Sequence, residues 1–276
     1  MLDAMRSARR ISLGAYVLGG RMLDALASAA ARGARVRVFL AATDFPRVND
    51  DAAGRLRAAG AAVTIVDPQP GRRAALHAKL ALIDDVAYVD DCNWTASAGD
   101  TILRDDRPAD LAAVRDALEF GAGDAPSQDF AMRKSDALAS EAGLLDGSRS
   151  DCDRIAVESE SFGCRNAVYG ALERAAERGG RPRLLVSERD LRGNGPERTA
   201  LDRLVSDGVR VRVTSASNEK FALAGDAAWL GSANATPAYV RPDQIDWGMR
   251  TRDRAIVAHL RDTFDRRWNE AKPIRT

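Results

Sequence analysis

Apolar positions along this chain fall into short runs of two periods. RISLGAYVLG (10–19) has the apolar, β-branched and aromatic make-up of a strand, while RMLDALASAAARG (21–33) spaces its apolar residues three and four apart, as a helix does. Gly33 stands where such a helix would stop. ARVRVFLAA (34–42) then reads as a strand, AAGRLRAAG (52–60) as a helix closed by Gly60, and AAVTIVDP (61–68) as a third strand. The same succession returns in RIAVESESFG (154–163), NAVYGALERAAERG (166–179), RPRLLVSE (181–188), TALDRLVSDG (199–208) and VRVRVTSAS (209–217), with Gly179 and Gly208 in the closing places. The strongest correspondence lies between HAKLALIDDVAYVDDCNWT (77–95) and NEKFALAGDAAWLGSANAT (218–236), which align without a gap. DTILR (100–104) answers DWGMR (246–250), and AAVRDAL (112–118) answers AHLRDTF (258–264).

A period this long marks an internal duplication. Each half reads β-α-β-α-β-β-β-α, which predicts an α/β fold of two similar lobes, each a mixed sheet flanked by helices. The expected boundaries are 1–118 for the first half, 119–152 for a connector with a helix around Ser135–Leu145, and 153–276 for the second half. Such a duplication predicts a monomer with a pseudo-two-fold axis, loops from equivalent strand ends meeting at the axis, and a composite site there.

Composition narrows the setting. The 276 residues are 45% hydrophobic and 29% charged, with a formal net charge of +1, so no global charge advertises a polyanion. No apolar run approaches a membrane span, and the N-terminal stretch lacks the apolar block of an export signal, so a cytoplasmic product without stable membrane insertion is expected. Cys92, Cys152 and Cys164 are too few and too irregular for a disulfide framework or a metal cluster, so no metal and no cofactor is expected. Positive charge is almost all arginine. Only Lys79, Lys134, Lys220 and Lys272 break that habit, and Lys79 and Lys220 occupy matching places in the repeat. Two such sites call for a compact ammonium rather than a guanidinium.

Those lysines sit in the aligned block. Its first copy carries His77, Lys79 and Asp84 in the spacing HxKxxxxD, followed by Asn93; its second carries Asn218, Lys220 and Gly225, followed by an intact Gly231-Ser232-Ala233-Asn234. In this the chain resembles the phospholipase D superfamily, whose signature is HxKxxxxD followed by GSxN, once per half. The resemblance covers nearly the whole chain. It implies a metal-independent phosphodiesterase in which His77 is the nucleophile and Lys79 and Lys220 clamp the phosphate. Asp84 belongs to the same motif and would be catalytic by it, with closure of a turn around Asp84–Asp85 as the alternative. Asn93, Asn234 and Ser232 would bind the phosphate, with Asn218 beside them. Strand alternation sets His77 and Lys79 on one face, where an imidazole can attack phosphorus and an ammonium can offset the charge that builds.

The departures matter equally. Asn218 stands where the partner histidine, the proton donor to the leaving oxygen, is expected, and an amide is no such donor; losing a general acid costs on the order of 10²–10⁴ in rate. Gly225 replaces the second aspartate, and Asp90 and Asp91 replace the Gly-Ser pair of the first copy. Asp100 and Asp246, at equivalent places after the asparagines, are candidates to orient an imidazole, with solvated loop acids as the alternative. Glu158 and Glu160 share one strand face, and either is a candidate substitute acid if burial raises it; exposed strand carboxylates are the competing reading. Trp94, Trp229 and Trp247 read as core or as stacking platforms, and Arg72 and Arg73 as a phosphate-recruiting rim or solvated turn residues. Two functions stay open: phosphoryl or phosphatidyl transfer through His77, and a degenerate phosphate- or nucleic-acid-binding module of the same fold. The partner is a phosphodiester in either case, whether lipid, nucleic acid or small molecule.

Overall fold

The computed structural model describes residues 1–42, 46–66, 76–95, 102–119, 130–148, 154–215, 217–237 and 244–274. Asp100, Arg72, Arg73 and Cys152 lie outside these. The chain divides into two compact units: Met1–Lys134 with Arg241–Trp247, and Ser135–Val240 with Gly248–Thr276. The connector helix therefore belongs to the second unit, and a short stretch of the second repeat belongs to the first. No described helix is long and apolar enough to cross a membrane.

The first unit opens with a short helix α1 (Leu2–Ser7) that the sequence pattern did not announce. It continues through β1 (Arg10–Ala15), α2 (Gly20–Ala31), β2 (Arg35–Ala41), α3 (Pro46–Ala58), β3 (Ala62–Val66), β4 (Lys79–Ile83), β5 (Val86–Asp90), β6 (Ile102–Asp105), α4 (Pro108–Leu118) and a two-residue strand β7 (Phe130–Ala131). Its six-stranded sheet has the order β3-β2-β1-β4-β5-β6. β1, β2 and β3 run parallel, with α2 and α3 between them in the chain; β4 pairs antiparallel with β1, the Asp84–Asp85 turn returns the chain into β5, and β6 pairs antiparallel with β5. The core lies between this sheet and α1, α2 and α3, around Leu13, Leu18, Leu26, Val38, Leu40 and Leu56.

In the second unit α5 (Lys134–Gly147) precedes β8 (Ala156–Ser159), α6 (Ala167–Glu177), β9 (Arg183–Ser187), α7 (Glu188–Leu191), α8 (Gly195–Ser206), β10 (Arg210–Thr214), β11 (Phe221–Ala224), β12 (Ala227–Gly231), β13 (Gly248–Thr251), α9 (Arg254–Glu270) and β14 (Lys272–Pro273). Its strands run in the order β14-β10-β9-β8-β11-β12-β13, again parallel in β10, β9 and β8 and antiparallel after β8. These are the two mixed sheets flanked by helices that the repeat predicts. Among the described residues the extra pieces, α7 and β14, have no counterpart in the first unit. β13 begins at Gly248 for a steric reason: a Cβ there would lie 2.7 Å from the Trp229 ring.

Equivalent loops repeat atom for atom. Gly19 N–H donates to the Trp94 carbonyl at 2.8 Å, and Gly163 N–H to the Ala235 carbonyl at 2.9 Å. Thr95 N–H donates to the Asn93 carbonyl, and Thr236 N–H to the Asn234 carbonyl, both at 2.7 Å. Buried side chains close the same loop in each unit: the Asn49 amide oxygen accepts from Leu18 N–H at 3.2 Å, and Glu197 accepts from Phe162 N–H at 2.6 Å. Burial raises the Glu197 carboxyl to about 7.

Candidate active site

In the first unit the segment Gln244–Trp247 runs beside the motif. His77 and Ala78 N–H both donate to the Ile245 carbonyl, at 2.9 and 2.8 Å, and Leu76 and Ile245 form a parallel bridge. The indole N–H of Trp247 donates to the Asp90 carbonyl at 2.8 Å, and its ring stacks on Phe130. These anchors fix the residue between Ile245 and Trp247, Asp246, whose Oδ1 lies 2.7 Å from His77 Nδ1. The Asp246 side chain is 1% exposed and that of His77 15%. Buried in this way, the carboxylate fixes the ring's orientation.

Lys79 follows two residues later on the same strand face, its Nζ 3.4 Å from His77 Nε2. That separation is at the long end of a hydrogen bond. The ammonium also lies 5.9 Å from the Tyr16 ring centroid, and Tyr16 meets the imidazole edge-on at 5.0 Å. Burial of Lys79 to 2% exposure is thus supported by an aromatic face and an imidazole. Tyr16 carried no motif signal, because an aromatic in a predicted strand reads as core.

Asn93 is half-buried in the loop after β5. Asp90 and Asp91, where the second copy has Gly231 and Ser232, are both buried, and Asp90 Oδ1 accepts from Cys92 N–H at 2.9 Å. Asp90, Asp91 and Cys92 bring potential ligand atoms within 4.8 Å of one another, a grouping that the sequence reading, which expected no metal, passed over.

Asp84 is elsewhere. It turns β4 into β5 with a positive φ of 51°, and its Oδ1 accepts from Arg9 and Arg10 N–H at 3.1 and 2.9 Å. Five residues of strand separate it from Lys79, ~16 Å at the rise of a β-strand. The expected catalytic aspartate is a turn-former that anchors the start of β1. Gly225, its equivalent, adopts the same left-handed turn at φ 60°.

The second unit repeats the scaffold with other side chains. Lys220, 2% exposed, pairs with Glu160 at 3.0 Å and donates to the carbonyl of Asn218, whose own side chain is exposed. Glu160 is the residue equivalent to Tyr16. Ser232 is fully buried, and the Asn234 side-chain oxygen accepts from Ser161 N–H at 3.3 Å. Glu158 parts company with Glu160: it is 1% exposed, bonds to Ser217, and lies 2.8 Å from Arg267, which also holds Glu219 at 2.7 Å. Burial raises the Glu158 carboxyl to about 7 against the pull of Arg267. That carboxylate knits β8 to α9 and is spoken for. Trp94, Trp229 and Trp247 are all buried, so the core reading of the tryptophans holds and the stacking one does not.

Residues 1–103 and 145–268 match the family model described as cardiolipin synthase, PLD-like domain. The chain belongs to this phospholipase D-like family. Among solved structures, polyphosphate kinase from Porphyromonas gingivalis is similar over 97% of this chain at 18% identity with a TM-score of 0.71. The chain spans 44% of that kinase's length. Phosphatidylserine synthase from Haemophilus influenzae Rd KW20 is similar over 99% of this chain and 84% of its own, at 12% identity with a TM-score of 0.71. At these identities the likeness is one of fold. No curated protein sequence matches the chain.

Proposed function

We propose that this phospholipase D-like protein transfers phosphoryl groups from a phosphodiester through a phosphohistidine at His77. The observation that supports this reading is the line from Asp246 Oδ1 to His77 Nδ1 at 2.7 Å and on from Nε2 to Lys79 Nζ at 3.4 Å. A carboxylate on Nδ1 keeps that nitrogen protonated and leaves the lone pair on Nε2. Nε2 attacks phosphorus, the bond to the leaving oxygen breaks, and water or a second alcohol then takes the phosphoryl group from the ring. Asp246 offsets the positive charge that the ring acquires. Lys79 offsets the charge that builds on the phosphate oxygens.

By the family resemblance Lys220, Ser232, Asn93, Asn234 and Asn218 are the further phosphate-binding candidates. The leaving oxygen needs a proton that Asn218 cannot supply. Glu160 is the candidate: an incoming phosphate competes with it for the Lys220 ammonium, the freed carboxylate takes up a proton from water, and the acid so formed passes that proton to the leaving oxygen.

Incubation with bis(p-nitrophenyl) phosphate, followed by mass spectrometry under alkaline conditions, tests the reading. A phosphoryl adduct on His77, absent from H77A and formed in the presence of EDTA, is the expected result. A binding module is the second reading, favoured by Asn218 and by the carboxylates of Asp90 and Asp91 beside the proposed anion site. Absence of any adduct or turnover, with orthophosphate binding that weakens in Lys79→Ala, would select it.

A further inference from the structure

The end of the first unit's sheet remote from His77 holds a basic concavity of about 320 Å³. It lies where β1 and β2 begin and the Asp84 turn closes β4 onto β5. Arg10, Arg35, Arg37 and Arg115 line it, over a floor that includes Phe39 and Leu82.

Two of its three carboxylates are engaged. Asp84 accepts from two backbone N–H groups, and Asp85 pairs with Arg10 at 3.5 Å, which leaves Glu119. Among the described residues Arg35, Arg37 and Arg115 have no carboxylate or carbonyl partner. Arg37 lies 5.5 Å from the Phe39 ring centroid, a contact that does not neutralise its charge.

The second unit shows what these positions look like when the protein itself occupies them. Arg183, which pairs with Ala156 as Arg37 pairs with Ser12, bonds to Asp265 at 2.6 Å and stacks on Phe264 at 4.8 Å. Arg261, the repeat equivalent of Arg115, donates to the Gly225 carbonyl at 2.6 Å. Asp265 corresponds in the repeat to Glu119, which lines the concavity but, among the described residues, forms no ion pair with these arginines. In the first unit the corresponding guanidiniums face a cavity.

We propose that this concavity is a binding site for a multiply charged phosphate anion, held by Arg35, Arg37 and Arg115. The planar guanidinium fork matches phosphate oxygens two at a time. Several unpaired guanidiniums around one hollow repel one another, and an anion with two or more charges offsets that repulsion. The Ser12 hydroxyl adds a donor, and the apolar floor lowers the local dielectric.

Isothermal titration with inorganic pyrophosphate at low ionic strength, on wild type and on the double variant R37A/R115A, tests it. Both arginines are exposed, so the variant is expected to keep the wild-type thermal midpoint without ligand. The expected result is one pyrophosphate site fewer in R37A/R115A, and a tungstate soak of wild-type crystals that places an anion among these arginines. An equal number of sites with equal affinity in the two proteins, or no saturable binding in wild type, would overturn the proposal.

Discussion

Lys79 of the first unit and Lys220 of the second hold equivalent places at the entry to their strands, and each is 2% exposed. Their neighbours differ. Lys79 has the Nε2 of His77 at 3.4 Å and the face of Tyr16 at 5.9 Å, while Lys220 has the Glu160 carboxylate at 3.0 Å and an asparagine in the histidine's place. One duplicated scaffold thus presents an ammonium beside an imidazole in one copy and an ammonium paired with a carboxylate in the other. Two substitutions from one copy to the other, histidine to asparagine and tyrosine to glutamate, account for the change. A buried lysine requires a partner, and when the imidazole is lost a carboxylate fills the role. Duplication preserves the backbone that aims a side chain; the chemistry drifts with the side chain itself.

If His77 is the nucleophile proposed above, the largest expected effect comes from the copy that carries it. Asp246→Asn keeps the shape beside His77 but removes the charge and lets the ring take the other tautomer, so kcat for bis(p-nitrophenyl) phosphate should fall by ~10²–10⁴ with little change in KM. His77→Ala should abolish the reaction. An Asp246→Asn enzyme of wild-type rate would break the contrast between the two copies, because Nδ1 orientation would then not matter.

The next experiment makes the copies more alike. Asn218→His restores the missing acid and should accelerate alkoxide-leaving diesters by ~10² while changing nitrophenyl esters much less. Glu160→Gln asks the reverse. If Glu160 supplies the proton, the variant should lose ~10-fold or more on alkoxide substrates and spare nitrophenyl ones. It should regain that loss when combined with Asn218→His. A uniform loss on both substrate classes would mean that Glu160 only positions Lys220.

Much of the fold could be read in the chain because an α/β repeat writes itself in apolar periods, and the two sheets follow the aligned segments element by element. The nearness of His77 and Lys79 was legible because two positions apart on an extended chain share a face. Asp246 is legible from its place after Asn234. Its home in the first unit is not, because chain order says nothing about which unit a loop joins. Glu158 and Glu160 share a strand period, yet one is drawn into an ion cluster with Arg267 contributed by a helix over a hundred positions away, a pairing that no local pattern encodes. Asp84 stood between two readings, motif and turn, for another reason. Its spacing belongs to a motif, but Asp is also a residue that tolerates the left-handed turn, and the backbone donors of Arg9 and Arg10 take up its oxygen.

The smallest effect tests a part that only the second unit has. Glu141 lies on α5, 2% exposed, with no hydrogen bond or ion pair among the described residues, and burial raises its carboxyl to about 8 from 4.5. Below about 4.5 the group is protonated whether the chain is folded or not, and it contributes no pH dependence. As pH rises from there towards about 8, the unfolded chain releases this proton and the folded chain retains it, so stability falls through that window and levels off above it. The total is on the order of a few kcal/mol. Gln mimics the protonated acid and does not titrate. Denaturant midpoints of wild type and Glu141→Gln should therefore coincide at acid pH and separate by pH ~8, the variant being the more stable there. Glu158 and Glu197, also raised to about 7, slope the same way in both proteins, so the difference isolates Glu141. Parallel curves across the whole range would mean that Glu141 is charged and paired in the folded chain, and that α5 is anchored by an ionic contact rather than by burial alone.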